Sequence, residues 1–250
     1  MKILLFLITA IIIVFIGYKF SKPKKIKMID GQTLNYIEIK PLNKQTPKKL
    51  VLILHGYGTN RNDLIHLASD FSDLLPQAQF ISVDAPEPFE GGYEDSYQWF
   101  SLQTLNYFFI KPKIEVARKI LDKFIDEQLK RFGLKDEDLI LIGFSQGGMM
   151  SLYTGLQREN KLMGVISFSG ALAFDDSTLK KRLKSKPRML LVHGTSDERM
   201  PYSYFEDAKK MLTKADIPFE EYSVSGMEHT INSDAIERAR EFVKSLDWIL

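Results

Sequence analysis

The stretch Leu139–Gly155, LILIGFSQGGMMSLYTG, decides the fold. An apolar run stops at Gly143, one serine follows among glycines, and a segment with helical spacing begins at once. Gly143-Phe144-Ser145-Gln146-Gly147 is a G-x-S-x-G pattern between a predicted strand and a predicted helix. That is the context in which such a turn strains the backbone at serine and lifts its hydroxyl above a sheet. Gly143 and Gly147 avoid clashes at the crowded turn, and Gly148 lets the helix lie close to its neighbours. The Gln146 amide then sits at a helix N-terminus, pointed where an attacked carbonyl oxygen would develop charge.

The flanking segments repeat the same alternation. KKLVLILHG is a near-continuous apolar run, as expected of a strand buried on both faces. NRNDLIHLASDFSDLLP has helical spacing and stops at Pro76, and QFISVDAP is a further strand. KPKIEVARKILDKFIDEQLKRFG is the clearest helix, with Pro112 near its start and Gly133 after its end. After the serine, LMGVISFSG, RMLLVHG and FEEYSVSG read as strands. Between and after them come helices over Gln146 to Gln157, Pro201 to Ala215 and Asp234 to Leu250. KMIDGQTLNYIEI, with its Asp-Gly turn, predicts an antiparallel hairpin at a sheet edge. The class is therefore α/β: a mostly parallel sheet flanked by helices, with its site beyond the carboxyl ends of the strands.

Composition fits one such domain. The chain has 250 residues, 44% of them hydrophobic, and a net charge of +2. Its lysines are dispersed rather than interleaved with aromatics, which gives no support for a nucleic-acid partner. The absence of cysteine excludes disulfides, thiolate metal sites and a cysteine nucleophile. Residues 1–20 are expected to form a membrane anchor or uncleaved signal, and 21–28 a lysine-rich linker before a catalytic domain over 29–250. Ile3 to Tyr18 is apolar but for Thr9, with no small-residue cleavage site after it. At 1.5 Å per residue it reaches roughly 24 Å, a little short of a ~30 Å hydrocarbon core. Five lysines follow against Lys2 before, a bias that favours a cytoplasmic body; an exported body is the other option.

Serine needs a base, and the base needs an orienting acid. With this kind of turn the chain order is Ser, acid, His. Of the two histidines after Ser145, His193 precedes the acid candidate, whereas His229 lies in SVSGMEHTI just past the last strand. His229 is the predicted base. Asp197, a short loop after RMLLVHG, is the predicted acid, ahead of Asp175 and Asp176. The loop LHGYGTN supplies the second oxyanion donor, the Tyr57 amide, while His55 reads as structural and His66 as a surface or packing residue.

The chain resembles the phospholipase/carboxylesterase branch of the α/β-hydrolases, which contains bacterial carboxylesterases and acyl-protein thioesterases. The resemblance rests on LHGYGTN, SYQWFSL, GFSQGGMMSL, LLVHGTSDERMP and GMEHTI, in order over most of Leu50 to Leu250. It implies a compact fold with a minimal cap and hydrolysis of esters, thioesters or lysophospholipids without metal or cofactor. It assigns Ser145, Asp197 and His229 as the triad, with the Tyr57 and Gln146 amides as oxyanion hole. Two features depart from the pattern: Tyr57 stands where members often carry leucine or phenylalanine, and members mostly lack a hydrophobic leader. In the stretch from Phe89 to Phe109, Trp99 and Phe100 are expected to line an acyl groove, with Phe108 and Phe109 at a flap edge. Other readings are a peptidase of the same architecture or a non-catalytic membrane-tethered binding module. The expected partners are a small or lipid-like acyl ester or thioester substrate and, as an option, a second copy of the chain in a homodimer.

Overall fold

The computed structural model describes residues 34–104 and 106–246. β1 (Tyr36–Ile39), β2 (Lys49–Leu54) and β3 (Ala78–Val83) come first, with the five-residue helix α1 (Leu67–Phe71) between β2 and β3. A two-stranded hairpin, β4 (Glu87–Pro88) and β5 (Tyr97–Gln98), precedes α2 (Tyr107–Phe132). Then β6 (Leu139–Phe144), α3 (Gln146–Gly155), β7 (Gly164–Phe168), α4 (Asp176–Arg182) and β8 (Met189–Gly194) alternate. The order closes with α5 (Ser203–Lys214), β9 (Phe219–Val224) and α6 (Ser233–Ser245).

Seven strands form one sheet in the order β1-β3-β2-β6-β7-β8-β9. Only β1 runs antiparallel to its neighbour. Strand order reverses between β2 and β6, the kind of switch point where open α/β sheets bind ligands. The continuous apolar runs of the central strands follow from burial on both faces. On β2, Leu50, Leu52 and Leu54 pack with Ile114, Leu121 and Phe124 of α2. Val51 and Ile53 of the same strand pack with Phe71 of α1 and Phe242 of α6 on the other face.

Several elements differ from the sequence reading. The hairpin predicted around Asp30-Gly31 falls partly outside the described residues; within them, β1 is an antiparallel edge strand on β3, Tyr36 opposite Val83. The helix predicted over Asn60–Pro76 is reduced to α1. Polar side chains capture the backbone ahead of it: the Arg61 amide donates to Asp84 (2.9 Å) and the Asn62 amide to Asn60 (2.9 Å). Such bonds compete with helix propagation. Conversely, α2 begins earlier than Pro112 suggested. The Asn106 side chain caps it by accepting from the Phe108 amide, and Ile110 extends the buried stripe. Gly133 ends it in the left-handed conformation, φ 68°.

The expected membrane localisation is corrected. Among the described residues no helix is long and apolar enough to cross a membrane. The expected anchor over 1–20 and linker over 21–28 lie outside the described residues, and the apolar run there is short for a bilayer core. Nothing in the described residues supports a membrane contact or a homodimer.

Candidate active site

Four loops converge beyond the carboxyl ends of β2, β6, β8 and β9. They carry Tyr57, Ser145, Asp197 and His229 respectively. The turn after β6 is sharp. Ser145 has φ 54° and ψ −118°, a conformation that L-residues rarely hold, and its amide is tied to the Phe168 carbonyl at 2.8 Å. The flanking glycines make this turn possible. A Cβ on Gly143 would stand 2.2 Å from the Gly147 carbonyl oxygen, and one on Gly147 would stand 2.0 Å from that of Leu54.

His229 Nε2 lies 2.9 Å from Ser145 Oγ, and its Nδ1 lies 2.8 Å from Asp197 Oδ2. Asp197 is almost fully buried. Burial pushes its carboxyl up, but the Met200 amide and His229 outweigh that and hold it below the usual carboxylate value. Its other oxygen accepts from the amides of Met200 (2.8 Å) and Arg199 (3.1 Å). An ionised carboxylate can only accept, so His229 Nδ1 carries the proton and donates. Nε2 is then left with its lone pair toward the Ser145 hydroxyl, which donates to it. The Phe144 ring rests against the imidazole, ring centres 4.8 Å apart.

Gln146 follows the serine directly, and Tyr57 follows Gly56, where an added Cβ would stand 3.6 Å from that of Ser145. Gln146 is the first residue of α3, where amides lack intrahelical partners. Among the described residues neither the Tyr57 nor the Gln146 amide meets an acceptor. The Tyr57 side chain is engaged elsewhere: its hydroxyl donates to Glu90 and its ring meets Phe89 edge-on.

The remaining candidates separate clearly. His193 is fully buried and its Nε2 donates to the Met200 carbonyl at 2.8 Å, so it serves the loop rather than the serine. Asp175 caps α4, and Asp176 pairs with Lys214. His55 is buried with both ring nitrogens bonded, and His66 is exposed at the start of α1. Trp99 and Phe100 are corrected as groove-lining residues: both have 0% exposure and belong to the core. Large aromatics beside a sheet bury readily, and sequence alone does not separate that from a ligand wall. Phe108 and Phe109 stand exposed at the start of α2, 78% and 56%. Phe144 and the Arg199 and Met200 amides join the site only in the structure; a backbone donor leaves no signature in residue type.

The Phospholipase/Carboxylesterase family model matches residues 35–247. The chain belongs to this family. Among solved structures, that of esterase PE8 superposes with a TM-score of 0.80 at 33% identity, covering 85% of this chain and 99% of that one. Acyl-protein thioesterase 1 homolog 2 of Dictyostelium discoideum is 27% identical over 84% of this chain and 97% of its own length. Esterase YpfH of Escherichia coli (strain K12) is 25% identical, with 80% and 85% covered.

Proposed function

We propose that Ser145, His229 and Asp197 are the catalytic triad of a serine hydrolase acting on carboxylic esters and thioesters. Esterase-class hydrolysis is the activity that family membership and the named relatives support. The observation that carries the residue assignment is the unbroken pair of hydrogen bonds from Asp197 through His229 to Ser145.

In this reading His229 Nε2 takes the Ser145 proton as Oγ attacks the acyl carbonyl. The negative oxygen of the tetrahedral intermediate is met by the Tyr57 and Gln146 amides. Collapse expels the alcohol or thiol, which takes the proton from His229, and leaves an acyl ester on Ser145. His229 then removes a proton from water, hydroxide adds to the acyl carbonyl, and collapse returns the proton to Ser145 with release of the acid. Asp197 keeps Nδ1 protonated throughout and stabilises the transient imidazolium.

The test is Ser145→Ala and His229→Ala on p-nitrophenyl butyrate and on a matched butyryl thioester. Each is expected to lose on the order of 10⁶ in kcat. Parental turnover by folded Ser145→Ala overturns the assignment.

A further inference from the structure

We propose that Trp99 and the side chain of Gln146 act as positioning residues. Together with His55 they form a buried bracket that fixes the two oxyanion donors relative to each other. The proposal rests on the serine-hydrolase reading above and concerns groups that touch no substrate.

The bracket begins at the donor on α3. Gln146 follows the nucleophile, and its side chain is fully buried rather than offered to a ligand. Its Oε1 accepts from the Trp99 amide at 2.8 Å and its Nε2 donates to the Phe100 carbonyl at 2.6 Å. Both hydrogen-bonding ends of the amide are thus spent on one two-residue strap. The strap in turn reaches the other donor. The Trp99 indole Nε1 donates to the His55 carbonyl at 3.0 Å.

His55 completes the connection. Its Nε2 accepts from the Ala85 amide at 2.9 Å, so the ring proton is on Nδ1, which donates to the Gly56 carbonyl at 2.7 Å. The Gly56 carbonyl and the Tyr57 N–H belong to one planar peptide unit and point in opposite directions. Gripping that oxygen therefore aims the Tyr57 N–H, and a hydrogen bond to the carbonyl also polarises the N–H of the same unit. Two successive carbonyls of this loop, those of His55 and Gly56, are held by buried side chains. One is held by the strap that Gln146 clamps. The spacing between the two donors then does not depend on substrate. Fixed dipoles of this kind stabilise a transition state without reorganising as it forms.

The experiment uses the full chain with Trp99→Phe, Gln146→Glu and Gln146→Met, with Ser145→Ala alongside. Trp99→Phe keeps a large aromatic ring but deletes the Nε1 donor. Its kcat on p-nitrophenyl butyrate is expected to fall about 10- to 100-fold, up to the effect of losing one oxyanion donor. KM should stay within about twofold, as for an interaction made only in the transition state. Affinity for a butyl trifluoromethyl ketone, which forms a tetrahedral oxyanion on serine, should fall by the same factor. Gln146→Glu keeps the acceptor for the Trp99 amide, but only its protonated form donates to Phe100. Its rate relative to the parent protein is expected to rise as pH falls from about 8 to about 5.5, because burial raises such a carboxyl. Gln146→Met should show no such recovery.

A folded Trp99→Phe with kcat within about twofold of the parent, or a Gln146→Glu ratio that tracks Gln146→Met at every pH, overturns the bracket. If Trp99→Phe does not fold, the Gln146→Glu ratio decides. Parental activity in Ser145→Ala sinks the serine reading itself. An inactive Ser145→Ala beside an unimpaired Trp99→Phe sinks only the bracket.

Discussion

The imidazole Nε2 of His229 stands 2.9 Å from the hydroxyl of Ser145, though the two residues are 84 positions apart in the chain. Neither lies on a regular element. Each sits in the loop just past its strand, and the parallel sheet brings those strand ends to one rim. Asp197 reaches the same rim from the end of β8.

The orienting role proposed for Asp197 predicts an asymmetric result for its isostere. Asp197→Asn retains shape but can present an N–H to His229 and reverse the tautomer. kcat should fall by roughly 10⁴, with fold and KM nearly unchanged. Steady-state kinetics beside a thermal melt will check this; a loss under tenfold would remove Asp197 from the relay.

Tyr57 is assigned its role through its backbone. Tyr57→Phe removes the hydroxyl that donates to Glu90 but keeps the amide. Stability should fall by about 1 kcal/mol, the usual net worth of a hydrogen bond, with kcat within about threefold of the parent. A kcat loss of a hundredfold would place the phenol, not the amide, in the chemistry.

The turn around Ser145 has no room for side chains. Gly147→Ala sets a Cβ against the Leu54 backbone and should destabilise the protein by about 3 kcal/mol or more, or prevent folding. Gly133→Ala is the control. Its φ is 68° and a Cβ there meets nothing within 4 Å, so only the left-handed conformation costs, about 1–2 kcal/mol. Urea denaturation of both variants gives the comparison. Equal losses would mean that the elbow relaxes around the added methyl.

Stability should decline with acid in two windows. Burial lowers His55 and His193 below the ordinary imidazole value; the hydrogen bonds their rings donate to the Gly56 and Met200 carbonyls oppose this without cancelling it. Below about pH 6.5 the unfolded chain therefore binds protons that the native state refuses, and stability falls as pH drops. Asp197 adds a second window. Its native value is depressed, so its contribution is complete above the ordinary carboxylate value and is lost as pH falls below about 4. Denaturation midpoints across this range should show His193→Gln with a shallower fall between about pH 7 and 5. Asp197→Asn should be shallower only below about pH 4. Slopes identical to the parent would contradict both assignments.

The sheet was legible because its central strands are buried on both faces, and unbroken apolar runs such as LVLIL have few other uses. The triad candidates were legible through chain order, since only His229 lies beyond both Ser145 and the acid at a strand end. Contacts made by one side chain on a distant backbone were not. Trp99 and Phe100 looked like a wall for an acyl chain, whereas burial and the Gln146 amide place them in the core. α1 is shorter than its spacing predicts for a related reason: helical spacing over Asn60–Pro76 does not reveal that Asp84, across the fold, takes the Arg61 amide.

The most direct measurement is covalent labelling with a fluorophosphonate, followed by peptide mapping of the adduct. One equivalent should be found on Ser145, at a rate that collapses in His229→Ala. No adduct on the folded protein, or equal labelling of Ser145→Ala, would contradict a hydroxyl activated by His229.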